Sequence, residues 1–178
     1  EDIPHTQFYR VANNPHDNTY WGGAQDNGTN LSIDGREKFN EVYGGDGSFC
    51  HIHQEVENVA YVSSQNGNLR KTTNLHFPVP STSGVRNELD SDFDGDIDDG
   101  AWFINPFEIN YLDGDQVFFP TQRRLWFSFD GAGSWFALTG FKSNLYAVGV
   151  PNEKDPDKVY VGGDNLQLWR VDDIYNAE

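Results

Sequence analysis

The sequence contains no methionine, a single cysteine and no apolar run near the ~20 residues that a membrane-spanning helix needs. The single cysteine excludes an internal disulfide, so packing and strand pairing must stabilise the fold. The apolar surroundings of Cys50 favour a small buried residue over a nucleophile. No signal peptide or sorting tail is recognisable. The missing methionine leads us to expect a chain that was processed, excised or trimmed from a longer parent.

Positive charge is scarce as well. The chain carries 12 Lys and Arg against 28 Asp and Glu, for a formal charge of -16. An acidic surface repels phosphate backbones and anionic lipid headgroups. We therefore expect no nucleic-acid partner and no membrane insertion, whereas metal cations are compatible with this charge.

Helical periodicity is also missing, because no long stretch has apolar residues at i, i+3, i+4 and i+7. Aromatic residues reach 15% and there are 18 glycines, a combination that suits short strands joined by tight turns. A length of 178 residues makes one domain the default. These features predict a single all-β domain.

A short strand module is repeated four times along the chain, starting at Asp17, Glu57, Gly114 and Asp157. The repeats place an aromatic residue at equivalent positions, namely Trp21, Tyr61, Phe118 and Tyr160. The separations are 40, 57 and 42 residues, and two of them match the ~40–45 residues of a propeller blade. A further alternating strand precedes each module, at 7–14, 48–54, 102–110 and 144–152. The repeat predicts a β-propeller, or a propeller segment, of about four antiparallel four-stranded blades.

The blade modules are expected at about 7–43, 48–75, 102–140 and 144–173, within one domain over 1–178. An acidic insertion at 76–100 takes the place of a clear fourth strand in the second module, and a loop of this length is often functional. The last blade is expected to be incomplete. Residues before Gln7 would close a small ring, or the ring is incomplete here. Its open edge would be covered by a partner copy, by further chain or by the N-terminus.

One segment carries a family resemblance. SFDGAGSW, from Ser128 to Trp135, resembles an Asp-box, Ser-x-Asp-x-Gly-x-Thr-Trp, and departs from it at Ala132. YWGGAQDNGT, YGGDGSF and YVSSQNGNLRKTT are similar to segments of secreted bacterial BNR-repeat propellers of the glycosyl-hydrolase-like or sortilin type. The resemblance implies an extracytoplasmic location and protein or carbohydrate binding, without implying catalysis. It also implies that Asp130 and Trp135 serve folding.

The acidic stretch DSDFDGDIDDG, from Asp90 to Gly100, has the opening of a calcium loop. Carboxylates at alternate positions would wrap one Ca²⁺, while Gly95 permits the turn and Ile97 anchors the loop. The departure is Ala101, where a bidentate glutamate is usual. We predict a structural Ca²⁺ site, and the alternative is a solvated acidic loop. The predicted ligands are Asp90, Asp92, Asp94, Asp96 and Asp98.

Two further groups of residues have spacings compatible with a metal site or with a catalytic pair of carboxylates. His51, His53 and Glu55 alternate, so they would share one strand face and could ligate zinc, or they are polar residues on an exposed face or in a channel. Asp26 and Asp46 are weak candidates for the carboxylate pair of a glycosidase, although their places beside glycines favour turns.

Two functions compete at this point. The first is a calcium-stabilised module of a secreted propeller that binds protein or glycan. The alternative is part of a glycoside hydrolase acting on a β-glucan such as xyloglucan, which needs a cleft with two carboxylates and a raised pKa on at least one of them.

Overall fold

The computed structural model describes residues 6–33, 38–75, 83–85, 100–150 and 157–177. These residues form β-strands, turns and short 3-10 segments such as Gln65–Gly67, and they contain no α-helix. No helix in this part of the chain is long and apolar enough to cross a membrane. The predicted all-β class is therefore confirmed.

Fifteen strands in the described residues form four antiparallel sheets, and each sheet follows chain order. Sheet 1 contains β1 (Phe8–Asn13), β2 (Tyr20–Ala24), β3 (Thr29–Ser32) and β4 (Asn40–Tyr43). Sheet 2 contains β5 (Gly47–Ile52), β6 (Ala60–Ser64), β7 (Asn68–Thr72) and β8 (Ser83–Gly84). Sheet 3 contains β9 (Glu108–Ile109), β10 (Val117–Pro120), β11 (Leu125–Ser128) and β12 (Phe136–Leu138). Sheet 4 contains β13 (Leu145–Gly149), β14 (Val159–Gly163) and β15 (Leu168–Val171), so the last sheet has three strands in the described residues, as predicted for an incomplete blade.

Three hydrophobic clusters hold the sheets together, and each joins two consecutive sheets. Trp21 of sheet 1 packs with Ala60 and Val62 of sheet 2. Tyr61, on the opposite face of the same strand, packs with Val117 and other residues of sheet 3. Side chains alternate between the faces of a strand, so β6 is buried on both sides. A third cluster joins sheets 3 and 4 in the same way.

The repeated aromatic position is the second residue of the second strand in every sheet. Trp21, Tyr61 and Phe118 are fully buried there against the following sheet. Tyr160 occupies the same position in sheet 4 and is 38% exposed. Among the described residues no sheet follows sheet 4, so one face of that sheet is uncovered.

Two strand predictions were inaccurate in detail. The first strand of sheet 3 is confined to Glu108–Ile109, although the pattern predicted a strand from Trp102. The second sheet has a fourth strand after all, since Ser83–Gly84 pairs with Arg70 and Lys71 inside the region assigned to the insertion.

Candidate functional site

A cavity of about 390 Å³ opens where the first strands of the sheets come together. Strands β1, β5 and β9 supply its walls, and Val150, directly after β13, completes them. Because the first strand lies at one edge of each sheet, this cavity lies among the inner edges of the four sheets. We call it the inner-strand cavity, and it is lined by Arg10, Val11, Ala12, Asn13, Cys50, His51, Ile52, Gln54, Glu108, Ile109, Tyr111 and Val150.

A histidine and a glutamate meet in this cavity. His51 Nδ1 lies 3.3 Å from Glu108 Oε1, and His51 Nε2 lies 3.0 Å from the carbonyl oxygen of Phe107. A carbonyl oxygen only accepts hydrogen bonds. His51 Nε2 therefore carries the ring hydrogen and donates a hydrogen bond to the carbonyl oxygen of Phe107. The lone pair of Nδ1 therefore faces the carboxyl group of Glu108.

Burial shifts the pKa of both groups toward their neutral forms. It lowers the pKa of His51 to about 4, with the nearby Arg10 guanidinium acting in the same direction. It raises the pKa of Glu108 to about 7, against the opposing effects of a hydrogen bond from the Ile109 amide and of Arg10. Between these two pKa values a protonated Glu108 can donate a hydrogen bond to His51 Nδ1, and neither group carries charge.

The other cavity walls combine polar and apolar surface. Arg10 lies over the ring of Phe49 at 4.7 Å and brings a fixed positive charge to the wall. Tyr111 is 58% exposed and offers an open aromatic surface beside Val11. Such a wall can contact the apolar side of a ligand while the polar groups bind its hydroxyls.

Cys50 also borders this cavity without being reactive. Its Sγ donates to the carbonyl of Trp21 at 3.3 Å, and burial raises the pKa of the thiol to about 12. The nucleophile is the thiolate, which is scarcely populated at that pKa. The side chain packs as a small apolar residue, as the sequence indicated.

Glu108 is the one carboxyl among the residues that line the cavity. Glycoside hydrolysis needs two carboxyl groups on either side of the scissile bond. The described lining of this cavity therefore has one carboxyl group with a raised pKa and no second carboxyl group beside it.

Asp26 lies in the turn between β2 and β3, Asp46 lies in the connection between β4 and β5, and neither lines the inner-strand cavity. The backbone N–H of Asp26 donates to Asp46 Oδ1 at 2.7 Å, and Asp26 itself has a φ of 58°. The amide of Asp46 in turn donates to Gln65 Oε1 at 2.8 Å. In this arrangement the carboxylate of Asp46 holds a turn, and a catalytic role for either residue stays a prediction.

The two histidines that could have ligated zinc are directed to different neighbours. His53 Nδ1 accepts from the amides of Glu55 and Val56 at 3.2 and 3.1 Å, so that nitrogen is engaged. His51 instead faces Phe107 and Glu108. Within the described ranges no group of three or more potential metal ligands is found. The predicted calcium ligands, Asp90, Asp92, Asp94, Asp96 and Asp98, lie outside the described residues.

The turn from Ser128 to Trp135 is held by side-chain hydrogen bonds. Asp130 Oδ1 accepts from the amides of Gly133 and Ser134 at 2.9 and 2.8 Å, and Oδ2 accepts from the Ser134 hydroxyl at 2.6 Å. These bonds lower the pKa of Asp130 to about 2, with the Ser134 hydroxyl contributing most. Trp135 is buried between sheets 2 and 3, and its Nε1 donates to the carbonyl of Val85 at 2.8 Å.

Comparison with known proteins identifies the fold. No protein-family model and no curated protein matches the sequence. Among solved structures, an ancestral GH74 enzyme superposes with a TM-score of 0.70 at 14% identity, over 94% of this chain and 23% of that chain. YCF48 from Cyanidioschyzon merolae superposes with a TM-score of 0.65 at 12% identity, over 96% of this chain and 52% of that chain. Both neighbours are propellers, so the four sheets are blades of a propeller, and the chain spans about a quarter and a half of these two relatives.

Proposed function

We propose that this chain is a propeller segment that binds glycans in the inner-strand cavity. The observation that carries the proposal is the mixed wall, where Arg10, His51 and Glu108 face the same space as the exposed ring of Tyr111. A sugar presents hydroxyls around its edge and C–H groups on its faces, and this wall offers a partner to each. A concave recess of about 390 Å³ falls in the size range of small-molecule sites, which favours a sugar over a protein surface.

Isothermal titration calorimetry with neutral oligosaccharides, including β-glucan and xyloglucan fragments, tests this proposal. Tyr111→Ala should weaken binding about tenfold, because aromatic contacts of this kind contribute on the order of 1–3 kcal/mol. Tyr160→Ala is the matched control, since it removes an exposed tyrosine outside the cavity. Affinity should change with a midpoint near pH 7 as Glu108 titrates, and Glu108→Gln should remove that midpoint. Equal losses in the two tyrosine variants would overturn the assignment of the site.

The alternative function is hydrolysis of a β-glucan such as xyloglucan. The raised pKa of Glu108 supports it, because a general acid must be protonated near neutral pH. Asp26 and Asp46 do not line this cavity, so a second carboxylate would have to come from outside its described lining. Release of reducing sugar from xyloglucan that is lost in Glu108→Gln would favour the hydrolase, and binding without release favours the module.

We further propose that the chain belongs to the Asp-box, or BNR-repeat, propellers of secreted bacterial proteins. The hydrogen bonds of Asp130 and the buried Trp135 support this assignment, together with the sequence from Ser128 to Trp135. A structural Ca²⁺ bound by residues 90–98 is part of the same proposal, and it rests on the spacing of the aspartates.

The uncovered face of sheet 4 suggests how the blades continue. Tyr160 is exposed, whereas the equivalent aromatics of the other three sheets are buried by the next sheet. We propose that a further blade covers this face, from a longer parent chain or from a second copy. Light scattering after gel filtration separates the two sources. A dimer that Tyr160→Ser dissociates indicates a second copy, and a monomer up to about 100 µM excludes it, since stable interfaces assemble well below that concentration.

A further inference from the structure

A second cavity, of about 320 Å³, lies between sheets 3 and 4 and shares no lining residue with the inner-strand cavity. Three segments form it: the turn between β10 and β11, the connection that leads into β13, and the turn between β14 and β15. We call it the inter-blade pocket. It is lined by Gln122, Arg123, Phe141, Lys142, Ser143, Asn144 and Asp164.

Two unpaired cations distinguish this pocket. Arg123 and Lys142 both line it and both are exposed. Neither forms a hydrogen bond or an ion pair with any other described residue. The chain has 12 basic residues against 28 acidic ones, so two unneutralised cations beside one recess are unexpected from composition alone.

The one acid in the lining is already engaged. Asp164 Oδ2 accepts from the backbone N–H of Asn144 at 3.2 Å, and the same carboxylate binds the hydroxyl of Tyr146. The amide of Asp164 donates in turn to the carbonyl of Asn144 at 3.2 Å. Asp164 therefore connects the turn of sheet 4 to the segment before β13, and its hydrogen bonds are made to Asn144 and Tyr146 and not to the two cations.

The remaining wall is mainly polar, with one aromatic side. The ring of Phe141 packs edge-on against Trp169 at 5.4 Å, which fixes its orientation. Ser143 donates its hydroxyl to Gln167 at 2.9 Å and so keeps its oxygen available as an acceptor. The pocket thus offers two cations, hydrogen-bonding groups and one apolar surface. Its volume is at the lower end of the range for small-molecule sites.

We infer that the inter-blade pocket binds an acidic sugar unit, with Arg123 and Lys142 holding its carboxylate or sulfate and Phe141 contacting its ring. An extended polyanion is disfavoured, because the whole chain carries a charge of -16. A single anionic group is accommodated, because charges beyond the Debye length of about 8 Å are screened at physiological salt. The inference extends the proposed glycan binding to a second, charged site.

Titration calorimetry with three matched ligands tests the inference on the whole chain. The ligands are a galacturonate trisaccharide, a sulfated sugar and a neutral trisaccharide. We expect binding of an acidic sugar that weakens as salt is raised, and comparison of the first two ligands tells whether the carboxylate or the sulfate is preferred. Arg123→Ala and Lys142→Ala should each lower the affinity about five- to tenfold, the range for a charge-assisted contact.

Lys38→Ala is the control, because it removes one exposed positive charge outside the pocket and should leave the affinity within about twofold. Glu108→Gln should also leave acidic-sugar binding unchanged, which separates this inference from the proposal for the inner-strand cavity. Two results would overturn the inference: affinity for acidic sugars that neither Arg123→Ala nor Lys142→Ala lowers, or equal effects of the Lys38 and Lys142 variants. An acidic peptide such as triaspartate that binds as tightly as the acidic sugar would overturn the assignment to saccharides.

Discussion

At the scale of single residues, two turns of the same type differ at their last position, where the backbone is left-handed. The three-residue turn of sheet 2 ends in Asn66 and Gly67, which have φ values of 60° and 67°. The equivalent turn of sheet 4 ends in Asn165 and Leu166, with φ values of 55° and 62°. Glycine adopts this left-handed region freely, whereas a leucine is strained in it by about 1–2 kcal/mol. Leu166 is fully exposed, so no packing energy offsets that strain.

Leu166→Gly should therefore stabilise the fold by about 1 kcal/mol, after allowance for the greater freedom of glycine in the unfolded chain. The urea-unfolding midpoint should rise and Tm should increase by about 2–4 °C. Leu168→Gly is the matched control, because Leu168 is an exposed leucine in strand β15. There glycine should destabilise by about 0.5–1 kcal/mol. A loss of stability in Leu166→Gly would show that the leucine has a contact outside the described residues.

Tyr61 is a second residue whose side chain carries a local energetic cost. Its ring is fully buried between sheets 2 and 3, yet its hydroxyl has no hydrogen-bond partner among the described residues. Burial also raises the pKa of this phenol, so it stays neutral. A buried polar group without a partner costs about 1–3 kcal/mol.

Tyr61→Phe should accordingly be neutral or stabilising by up to about 1 kcal/mol, because the ring and the nearby Lys71 ammonium keep their contact. Chemical denaturation measures the difference. Tyr43→Phe is the control, since the Tyr43 hydroxyl accepts from Asn68 Nδ2 at 2.9 Å and its removal should destabilise. If both variants lose the same stability, the Tyr61 hydroxyl is bound by a water molecule.

At the scale of the structural element, the carboxylate of Asp130 stabilises the turn from Ser128 to Trp135. Its pKa of about 2 lies below the ordinary value of 3.8, so the charged form stabilises the folded state. This contribution is complete above about pH 3.8 and is lost as the pH falls through 2. Asp130→Ala should destabilise by about 2 kcal/mol at pH 7, since charge-assisted hydrogen bonds to two amides and a hydroxyl are removed.

Thermal unfolding from pH 7 to pH 2 measures this dependence, and the melting curves of the variant and the parent chain should converge at the acid end. Asp172→Ala is the control, because its carboxylate forms an exposed pair with Arg170 at 2.9 Å, and such pairs contribute little. Parallel curves across the whole range would assign the loss to the turn geometry and not to the charge.

The strands were predictable where the amino-acid pattern acts locally. The second strand of every sheet falls at the repeated aromatic position, because large residues alternate there between two buried faces. The strand predicted from Trp102 is missing before β9, and the reason is also local. Pro106 lacks an N–H, and Asn105 binds the amide of Trp102 and the carbonyl of Pro120 through its side chain, so these residues are held without a neighbouring strand.

The candidate site was harder to predict than the strands. Glu108 occupies no motif, and burial raises its pKa where β5 and β9 approach, beside His51, which is 57 residues earlier in the chain. His51 was singled out only together with His53 and Glu55, as zinc ligands or as polar residues of an exposed face or a channel, since local alternation cannot reveal a neighbour from another sheet. Side chains brought together by packing, unlike strands, leave no periodic signal.

At the scale of the whole molecule, Glu108 predicts a pH dependence opposite to that of Asp130. Its pKa of about 7 lies above the ordinary 4.5, so the protonated form stabilises the fold. That contribution is complete below about pH 4.5 and is lost as the pH rises through 7. Glu108→Gln should flatten the decline in Tm between pH 4.5 and 8, whereas Glu41→Gln, an exposed glutamate, should keep it. An unchanged decline in Glu108→Gln would assign the dependence to other groups.

Calcium gives a further prediction for the whole chain. If residues 90–98 hold a structural Ca²⁺, the bound ion stabilises the folded state by a few kcal/mol at about a hundredfold excess over Kd. EDTA should then lower Tm, and Ca²⁺ should restore it more strongly than Mg²⁺. Asp92→Ala or Asp94→Ala should abolish the response. An unchanged Tm in EDTA would leave the acidic stretch as solvated surface.

The three hydrophobic clusters determine the order in which the sheets should unfold. Among the described residues each cluster joins only consecutive sheets, so sheets 2 and 3 are supported on both faces there, while sheets 1 and 4 are supported on one. In such a row of nearest-neighbour contacts, opening begins at the ends and moves inward. Amide protons of β6 and β10 should exchange last and those of β15 among the first. Sheet 4, with its uncovered face, is thus also a sheet in which local unfolding should begin.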